Sequence, residues 1–236
     1  FDLAILFQNA FEAALITCLG GVSRRLGYNT DGRGLLLTHP VSIKPHHKRI
    51  HETEYYLEIL KGVGLQTDGT ALTLILTNEE RTLADRILKK TFVDGSKPIL
   101  GIGPGAVYGS AKRWPPERFA ALSNQLYRSH QTRTLIFGSP NENAIGEQVR
   151  RAIVGPAVNL CGATDLRQAA ALMERCDLFV TNDSGLMHVG AALGIPLIAI
   201  FGSTNPFTTG PLGARSHVVQ EPVSCSPCLK PDCPTD

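Results

Sequence analysis

The sequence predicts an α/β protein built on parallel sheets. Short apolar runs rich in β-branched residues alternate with helical segments through the second half of the chain. Polar, glycine-containing loops follow those runs, and the composition of 43% hydrophobic residues, 19% charged residues and 23 glycines is that of a globular domain. Strand–helix alternation at this rhythm indicates a parallel sheet covered by helices on both faces. A ligand cleft is therefore expected at the carboxyl edge of the strands.

Length and charge exclude several classes of function. A chain of 236 residues forms one or two domains, and a net charge of +2 is too small to indicate nucleic-acid binding. No apolar run approaches about 20 residues, so no transmembrane segment is predicted. Strand-like residues stand at the very start, F-D-L-A-I-L-F, and the chain stops just after a loop, at C-P-T-D. We therefore expect a fragment that lacks both ends of a longer protein.

Elements of the first half follow from apolar runs and from glycine stops. The predicted order is strand 1–7, helix 11–19, a short apolar run at 35–37, helix 51–61, strand 72–76 and helix 78–91. A polar break at residues 94–96 predicts the domain boundary, with a first domain over 1–94 and a second over 95–236. The alternative is that helix 78–91, which precedes the break, belongs to a linker or to the second domain.

The second half has a more regular pattern. Strands are predicted at 99–102, 134–137, 157–160, 178–181 and 197–201. Helices are predicted at 117–129, 143–152, 166–174 and 184–193. Right-handed crossovers place the loop that follows each strand at one edge of the sheet, where several polar loops together define a cleft.

The loop after strand 178–181 has the most specific chemistry. Ser184 and Gly185 can donate a hydroxyl and backbone N–H groups to an anion at a helix start, and His188 lies one turn later on the same face. Asp183 would repel a phosphate, so it more reasonably accepts hydrogen bonds from sugar hydroxyls. The alternative is that Asp183 or Ser184 caps the helix and His188 packs on the sheet.

A glycine-rich loop follows the first strand of this half. Glycines 101, 103, 105 and 109 permit close approach of a ligand, and Lys112 is the candidate for neutralising a diphosphate. Residue 106 is Ala and no G-K-[ST] is present, so neither the dinucleotide fingerprint nor a P-loop is predicted. Lys112 could equally be a surface lysine. Glu142, after the next strand, could accept hydrogen bonds from a ribose or an adenine amino group, or cap the helix behind it.

Acceptor-side candidates lie in the first half. Asn9 follows the first strand, at the edge where a cleft would lie, although a structural turn role is an equal alternative. The basic stretch 44–51 includes Lys48 and Arg49, which could bind phosphate or carboxylate groups of an acceptor. The other interpretation of this stretch is a solvated loop.

Six cysteines fall into two groups. Cys18, Cys161 and Cys176 stand singly in apolar surroundings and are predicted to be buried. Cys225, Cys228 and Cys233 have C-x2-C-x4-C spacing, which could contribute to a zinc site but lacks a fourth ligand. The alternative for this second group is a proline-stiffened, reduced loop.

Several motifs together resemble a known family. The segments K-R-W-P, G-S-P-N-E, L-C-G-A-T-D-L, T-N-D-S-G-L-M-H and I-A-I-F-G-S-T-N-P resemble the ADP-heptose:lipopolysaccharide heptosyltransferases of glycosyltransferase family 9. The segments F-Q-N-A-F-E-A-A-L and S-P-C-L-K-P-D-C-P are most similar to the heptosyltransferase II branch.

The resemblance implies a GT-B fold, with two Rossmann-like domains containing parallel sheets and an incomplete N-terminal domain. It implies a partial acceptor-side first domain, a donor-binding second domain, and inverting transfer of L-glycero-D-manno-heptose from ADP-heptose to the inner core of lipopolysaccharide. Kdo and heptose on the lipid A core would form the acceptor, at the inner membrane surface. The implied location is cytoplasmic, free or peripheral on the inner face of that membrane, and we expect no cofactor, metal or nucleic acid. The donor-binding residues that it implies are Lys112, Asp183, Ser184, Gly185, His188, Glu142 and Thr164.

The catalytic base is expected to lie outside these residues. The family's base is an aspartate in an early Gly-Asp segment that would precede residue 1, and Asp31 is a turn residue that we do not assign to this role. We therefore expect the 236 residues to bind donor but to catalyse little transfer alone. The alternatives are another GT-B enzyme, such as a different glycosyltransferase or a nucleotide-sugar epimerase, and a binding module without activity.

Overall fold

The computed structural model describes residues 1–92 and 96–233, except for the side chain of Lys48. The chain divides into two compact units, Phe1–Thr70 and Ala71–Asp236. Within the described ranges, no helix has both the length and the apolar character that crossing a bilayer requires.

The first unit is a small parallel sheet with helices. Its elements are β1 (Leu3–Leu6), α1 (Phe11–Leu19), β2 (Arg24–Tyr28), β3 (His39–Val41) and α2 (Glu52–Lys61), with short 3-10 helices at Arg33–Leu36 and Pro45–Lys48. The strand order is β1-β2-β3, and both pairings are parallel. Leu26, Tyr28, Val41 and Ile59 form the buried core, which consists of alternate strand residues and the inner face of α2.

The first unit departs from the sequence expectation in several places. The apolar run at 35–37 is not a strand, because Gly32 turns the chain at φ +70° into the 3-10 helix that begins at Arg33. Strand β2 was missed because two arginines begin it, and β3 because it has three residues and contains a proline. Cys18 is half-buried rather than buried. The predicted helix at 11–19 is confirmed.

The second unit is a doubly wound α/β domain. Its elements are α3 (Asn78–Thr91), β4 (Ile99–Gly103), α4 (Pro116–His130), β5 (Arg133–Ile136), α5 (Asn143–Ala152), β6 (Ala157–Asn159), α6 (Leu166–Met173), β7 (Leu178–Asn182), α7 (Gly185–Leu193), β8 (Leu197–Phe201), α8 (Pro206–Thr209) and β9 (Ser216–Gln220). The strand order is β6-β5-β4-β7-β8-β9, with every pairing parallel. This is the Rossmann order, which reverses between β4 and β7.

Two apolar layers cover this sheet, so the predicted α/β class is confirmed. One layer joins alternate strand residues to α3, α6 and α7, and includes Phe137, Phe179 and Leu197. The other packs Ile102 and Val180 against α4 and α5. The predicted strand at 72–76 is wrong, because that segment does not join a sheet; Leu74 N donates to Ala192 O, and the Ile75 carbonyl accepts from the Arg167 side chain.

Helix α3 is attached to the second unit by ion pairs on α6 and just after it. Arg81 Nε lies 2.9 Å from Glu174 Oε2, Arg175 Nε lies 2.8 Å from Asp85 Oδ1, and Arg167 pairs with Glu80. These contacts place α3 with the second unit, which agrees with the alternative that the helix before the predicted boundary belongs to the second domain. That boundary, between residues 94 and 95, lies outside the described residues.

Candidate functional site

A pocket of about 710 Å³ opens at the carboxyl ends of β4 and β7, the two strands at which the sheet order reverses. Ligands of open α/β sheets bind at this position. All seven residues predicted to bind the donor lie along its wall: Lys112, Glu142, Thr164, Asp183, Ser184, Gly185 and His188. Loops and helix starts that are far apart in sequence therefore meet at one site.

Lys112 and Asp183 form an ion pair in the pocket wall. Lys112 Nζ lies 2.6 Å from Asp183 Oδ2, and only 14% of the lysine side chain and 6% of the aspartate side chain are exposed. Thr204 Oγ1 donates to the same carboxylate oxygen at 2.7 Å. Lys112 Nζ also lies 4.9 Å from the centre of the Tyr108 ring. Lys112 is therefore a partly buried cation at the pocket and not a surface lysine.

Asn182 connects the two loops that carry this pair. Its side chain is fully buried; Oδ1 accepts the backbone N–H of Trp114 at 2.9 Å, and Nδ2 donates to the carbonyl of Pro104 at 2.8 Å. A carboxamide can do both because it has a donor and an acceptor. The glycine-rich loop is thus attached at both ends to the last residue of β7.

The amino end of α7 faces the pocket without a side-chain cap. Ser184 is the N-cap residue but makes no capping hydrogen bond, and its hydroxyl lies 3.3 Å from that of Thr181. Asp183 bonds to Lys112 and Thr204, so the interpretation of Asp183 or Ser184 as a side-chain cap is wrong. A Cβ at Gly185 would meet nothing within 4 Å. The N–H groups of the first helical turn and the helix dipole make this end a favourable place for an anion.

Glu142 lines the pocket but does not cap the helix behind it, because its side chain makes no capping hydrogen bond to α5. Its Oε2 accepts hydrogen bonds from Ser139 N at 2.7 Å and Ser139 Oγ at 2.9 Å, which closes a local capping box. Its Oε1 points at Gly105, where any Cβ would collide with it. Burial, with Glu142 nearby, raises the pKa of the Cys161 thiol to about 12. One oxygen therefore fixes the side chain, and the other lies against Gly105, which also lines the pocket.

Much of the remaining pocket wall is apolar. Phe137, Leu166, Ala169, Leu186 and Val189 contribute side chains to it. Apolar walls with a few convergent polar groups are typical of sites for nucleotide-sized ligands. The pocket thus combines a cation, a helix amino end, a carboxylate and an apolar surface.

The predicted acceptor-side residues lie in the first unit. The Asn9 side chain is engaged internally: Nδ2 donates to the Tyr55 hydroxyl at 2.8 Å, and Oδ1 accepts from Arg33 at 3.2 Å. Arg49 is exposed. The side chain of Lys48 lies outside the described part of the structure.

One group among the described residues could hold a metal ion: His46, His47 and Glu58. His47 is buried, and its Nε2 lies 3.7 Å from Glu58 Oε2. Its Nδ1 accepts the backbone N–H of Lys44 at 3.2 Å, so the neutral ring carries its proton on Nε2, the atom that a metal would need. We therefore do not assign a metal site here. The thiols of Cys225, Cys228 and Cys233 do not form a metal-binding group in the described ranges.

Two contributors to the pocket were missed from the sequence. Thr204 orients Asp183, and Tyr108 lies against Lys112. The available signal for Thr204 was its place in a polar loop at the carboxyl end of β8. Nothing in the local sequence indicates that its hydroxyl meets a residue that is 21 positions earlier.

The chain is similar in sequence to known heptosyltransferases. The chain is 34% identical over 228 residues to lipooligosaccharide heptosyltransferase 2 of Haemophilus influenzae, covering 93% of this chain and 66% of the relative. It is 36% identical over 238 residues to lipooligosaccharide heptosyltransferase 2 of Campylobacter jejuni, covering 99% of this chain and 68% of the relative. It thus spans about two thirds of the length of these relatives.

The fold is also similar to solved structures of related glycosyltransferases. The structure of Escherichia coli ADP-heptose lps heptosyltransferase II superposes with a TM-score of 0.77 at 28% identity, covering 93% of this chain and 68% of that one. A family 9 glycosyl transferase of Veillonella parvula superposes with a TM-score of 0.82 at 25% identity, covering 93% and 62%. These neighbours support the predicted GT-B architecture with parallel sheets. The family model of glycosyltransferase family 9 (heptosyltransferase) matches residues 1–236, and the chain belongs to that family.

Proposed function

We propose that the second unit binds ADP-heptose and that the protein transfers L-glycero-D-manno-heptose, with inversion, to the inner core of lipopolysaccharide. The observation that carries the proposal is the gathering of seven motif residues in one pocket at the point where the strand order reverses. The similar proteins are heptosyltransferases 2, and one of the similar solved structures is an ADP-heptose heptosyltransferase of Escherichia coli, which supports the choice of donor.

The cationic end of the pocket suits the departing diphosphate. Inverting transfer builds negative charge on the leaving group, and Lys112, His188 and the amino end of α7 are placed to stabilise it. The Ser184 hydroxyl and the Gly185 N–H would donate to phosphate oxygens. Asp183 holds Lys112 through Oδ2, which leaves Oδ1 to accept a hydroxyl of the heptose.

The apolar wall suits the adenine base. Phe137, Leu166 and Val189 offer apolar surface to a flat ring system. Glu142 Oε1 can accept from an exocyclic amino group or a ribose hydroxyl, and Thr164 can donate to the same region. A uracil lacks the exocyclic amino group, so the carboxylate favours adenine over uracil.

The acceptor would engage the first unit. Exposed Arg49, with Lys48 beside it in sequence, offers positive charge to the phosphates and carboxylates of a Kdo- and heptose-containing lipid A core. Such an acceptor implies work at the inner face of the inner membrane, from the cytoplasm.

The proposal is tested by calorimetric titration of the chain with ADP, UDP and GDP. We expect selective binding of ADP, weakened about 10- to 100-fold by Lys112→Ala, since a charge-assisted bond to phosphate is lost. Lys90→Ala, which removes an exposed lysine of α3 outside the pocket, is the matched control and should bind ADP normally. Equal binding of all three nucleotides would refute the adenine assignment.

Transfer activity separates an enzyme from a binding module. The complete protein should transfer heptose from ADP-heptose to a Kdo-containing core, and Lys112→Ala should reduce that transfer. Failure of the complete protein to transfer heptose, although it binds ADP, would favour the binding module.

A further inference from the structure

A segment after β9 crosses two loops that border the pocket. We call residues 226–232 the strap. Among the residues described, the strap bonds to the glycine-rich loop at Tyr108, Ser110 and Ala111, and to the loop after β8 at Gly202 and Ser203. These two loops lead directly to Lys112 and Thr204, on either side of Asp183.

Leu229 is the central residue of the strap. Its N–H donates to the Ser203 carbonyl at 2.8 Å, and its carbonyl accepts from the Tyr108 hydroxyl at 2.7 Å. Its φ of +56° is in the left-handed region, which is unfavourable for a residue with a Cβ. Such a conformation persists when the surrounding contacts determine it. One residue thus joins the two loops.

Contacts to the glycine-rich loop fix the approach to Lys112. Ala111 N–H donates to the Pro231 carbonyl at 2.9 Å, and Ser110 Oγ donates to Asp232 Oδ1 at 2.9 Å. A Cβ at Gly109 would collide with the Pro231 carbonyl, so the close approach requires glycine there. The strap therefore sets the backbone that immediately precedes Lys112.

Contacts to the other loop fix Thr204. Ser226 Oγ donates to the Gly202 carbonyl at 2.8 Å. Gln220, the last residue of β9, donates to the Thr204 carbonyl and to Ser226 Oγ, both at 3.1 Å. The Thr204 hydroxyl then bonds to Asp183. The same few residues hold the backbone on both sides of the ion pair.

We propose that the strap is a positioning element for the ligand site: it holds Lys112, Asp183 and Thr204 in the arrangement that receives the nucleotide diphosphate. The inference rests on the proposed function for the identity of that ligand. It assigns a role to the S-P-C-L-K-P-D motif that the metal and loop interpretations of its cysteines did not supply.

The first test needs no ligand. Ser226→Ala removes the side-chain contacts of the strap to the loop after β8, so hydrogen exchange followed by mass spectrometry should speed up at 202–204 and also in the loop at 108–112. Cys225→Ser, at the exposed residue just before the strap, is the control and should leave the exchange rates of both loops unchanged. Faster exchange confined to 202–204 would overturn the idea that the strap joins the loops.

The second test measures affinity. Tyr108→Phe keeps the ring near Lys112 but removes the bond to Leu229, and we expect it and Ser226→Ala each to weaken ADP binding about threefold to tenfold. The titration is run well below the melting temperature, where a purely stabilising role would not change affinity. Unchanged affinity in Ser226→Ala would refute the positioning role. If the unsubstituted chain does not bind ADP, the proposed function is refuted instead, and the hydrogen-exchange test decides whether the strap joins the two loops.

Discussion

The ion pair between Lys112 and Asp183 should behave as one energetic unit. The perturbations are Lys112→Met, Asp183→Asn and the double variant. At the observed 2.6 Å, Coulomb's law gives about 1.6 kcal/mol in water and about 6 kcal/mol at an effective dielectric constant of about 20. Desolvation of two mostly buried groups offsets part of that attraction, so we expect a coupling energy of about 2 kcal/mol.

Each single variant should lose more free energy of unfolding than the coupling energy of the ion pair. Each leaves one charged group partly buried without its ionic partner, and we expect a loss of about 3 kcal/mol in the free energy of unfolding. The double variant should lose about 4 kcal/mol rather than the sum, because no unpaired charge remains.

Urea unfolding followed by tryptophan fluorescence measures this coupling. The sequence contains one tryptophan, Trp114, whose ring packs 4.9 Å from that of Phe119 in the second unit, so the signal reports that unit. The partly exposed pair Glu147 and Arg150, substituted singly and together in the same way, should show no resolvable coupling. Additive losses for Lys112 and Asp183, within about 0.5 kcal/mol, would refute the reasoning.

Other parts of the second unit give three further predictions. Arg167 lowers the pKa of the Glu80 carboxyl from 4.5 to about 2, so this pair stabilises the fold above about pH 4.5 and its contribution is lost as the pH falls toward 2. Between pH 6 and pH 3, the melting temperature should therefore fall less steeply in Arg167→Met than in the unsubstituted chain, and equal slopes would contradict this. Gly185→Ala should leave the melting temperature unchanged, since a Cβ there meets nothing within 4 Å, but should weaken ADP binding by filling the anion site, and unchanged affinity by calorimetry would argue against a ligand at the start of α7. Burial raises the pKa of Cys161 to about 12, so iodoacetamide at pH 8 should label exposed Cys225 first and leave Cys161 unmodified in the folded chain. Peptide mass spectrometry would show the order of labelling, and early labelling of Cys161 would contradict its burial.

The sequence predicted the second unit better than the first for a physical reason. Strands such as β8 are buried between helix layers, so they appear as continuous apolar runs with clear ends. Strand β2, in contrast, begins with two arginines. Arg33, which follows this strand, is fully buried and donates its guanidinium hydrogens to backbone carbonyls and to the Asn9 side chain. Local hydrophobicity does not predict a buried cation that is solvated by backbone oxygens.

The candidate site was predictable where its chemistry follows a strand directly. Asp183 and Gly185 stand in the loop after β7, and the topology of parallel strands alone places them at the cleft. Thr204 and Leu229 act through tertiary contacts with Asp183 and Tyr108, at separations of 21 and 121 residues. Such contacts depend on the path of the chain between the elements, which periodicity does not describe.

The buried carboxamide of Asn182 has a consequence for how this protein can diverge. It bonds to the main chain of Trp114, Pro104 and Gly105 and to no side chain of the glycine-rich loop. The side chain of Val107 can therefore change without loss of the attachment, whereas position 182 has no substitute that both donates and accepts in the same space. In a saturation-mutagenesis screen for folded, nucleotide-binding variants, position 182 should tolerate almost no replacement, while Val107, 90% exposed, should tolerate many.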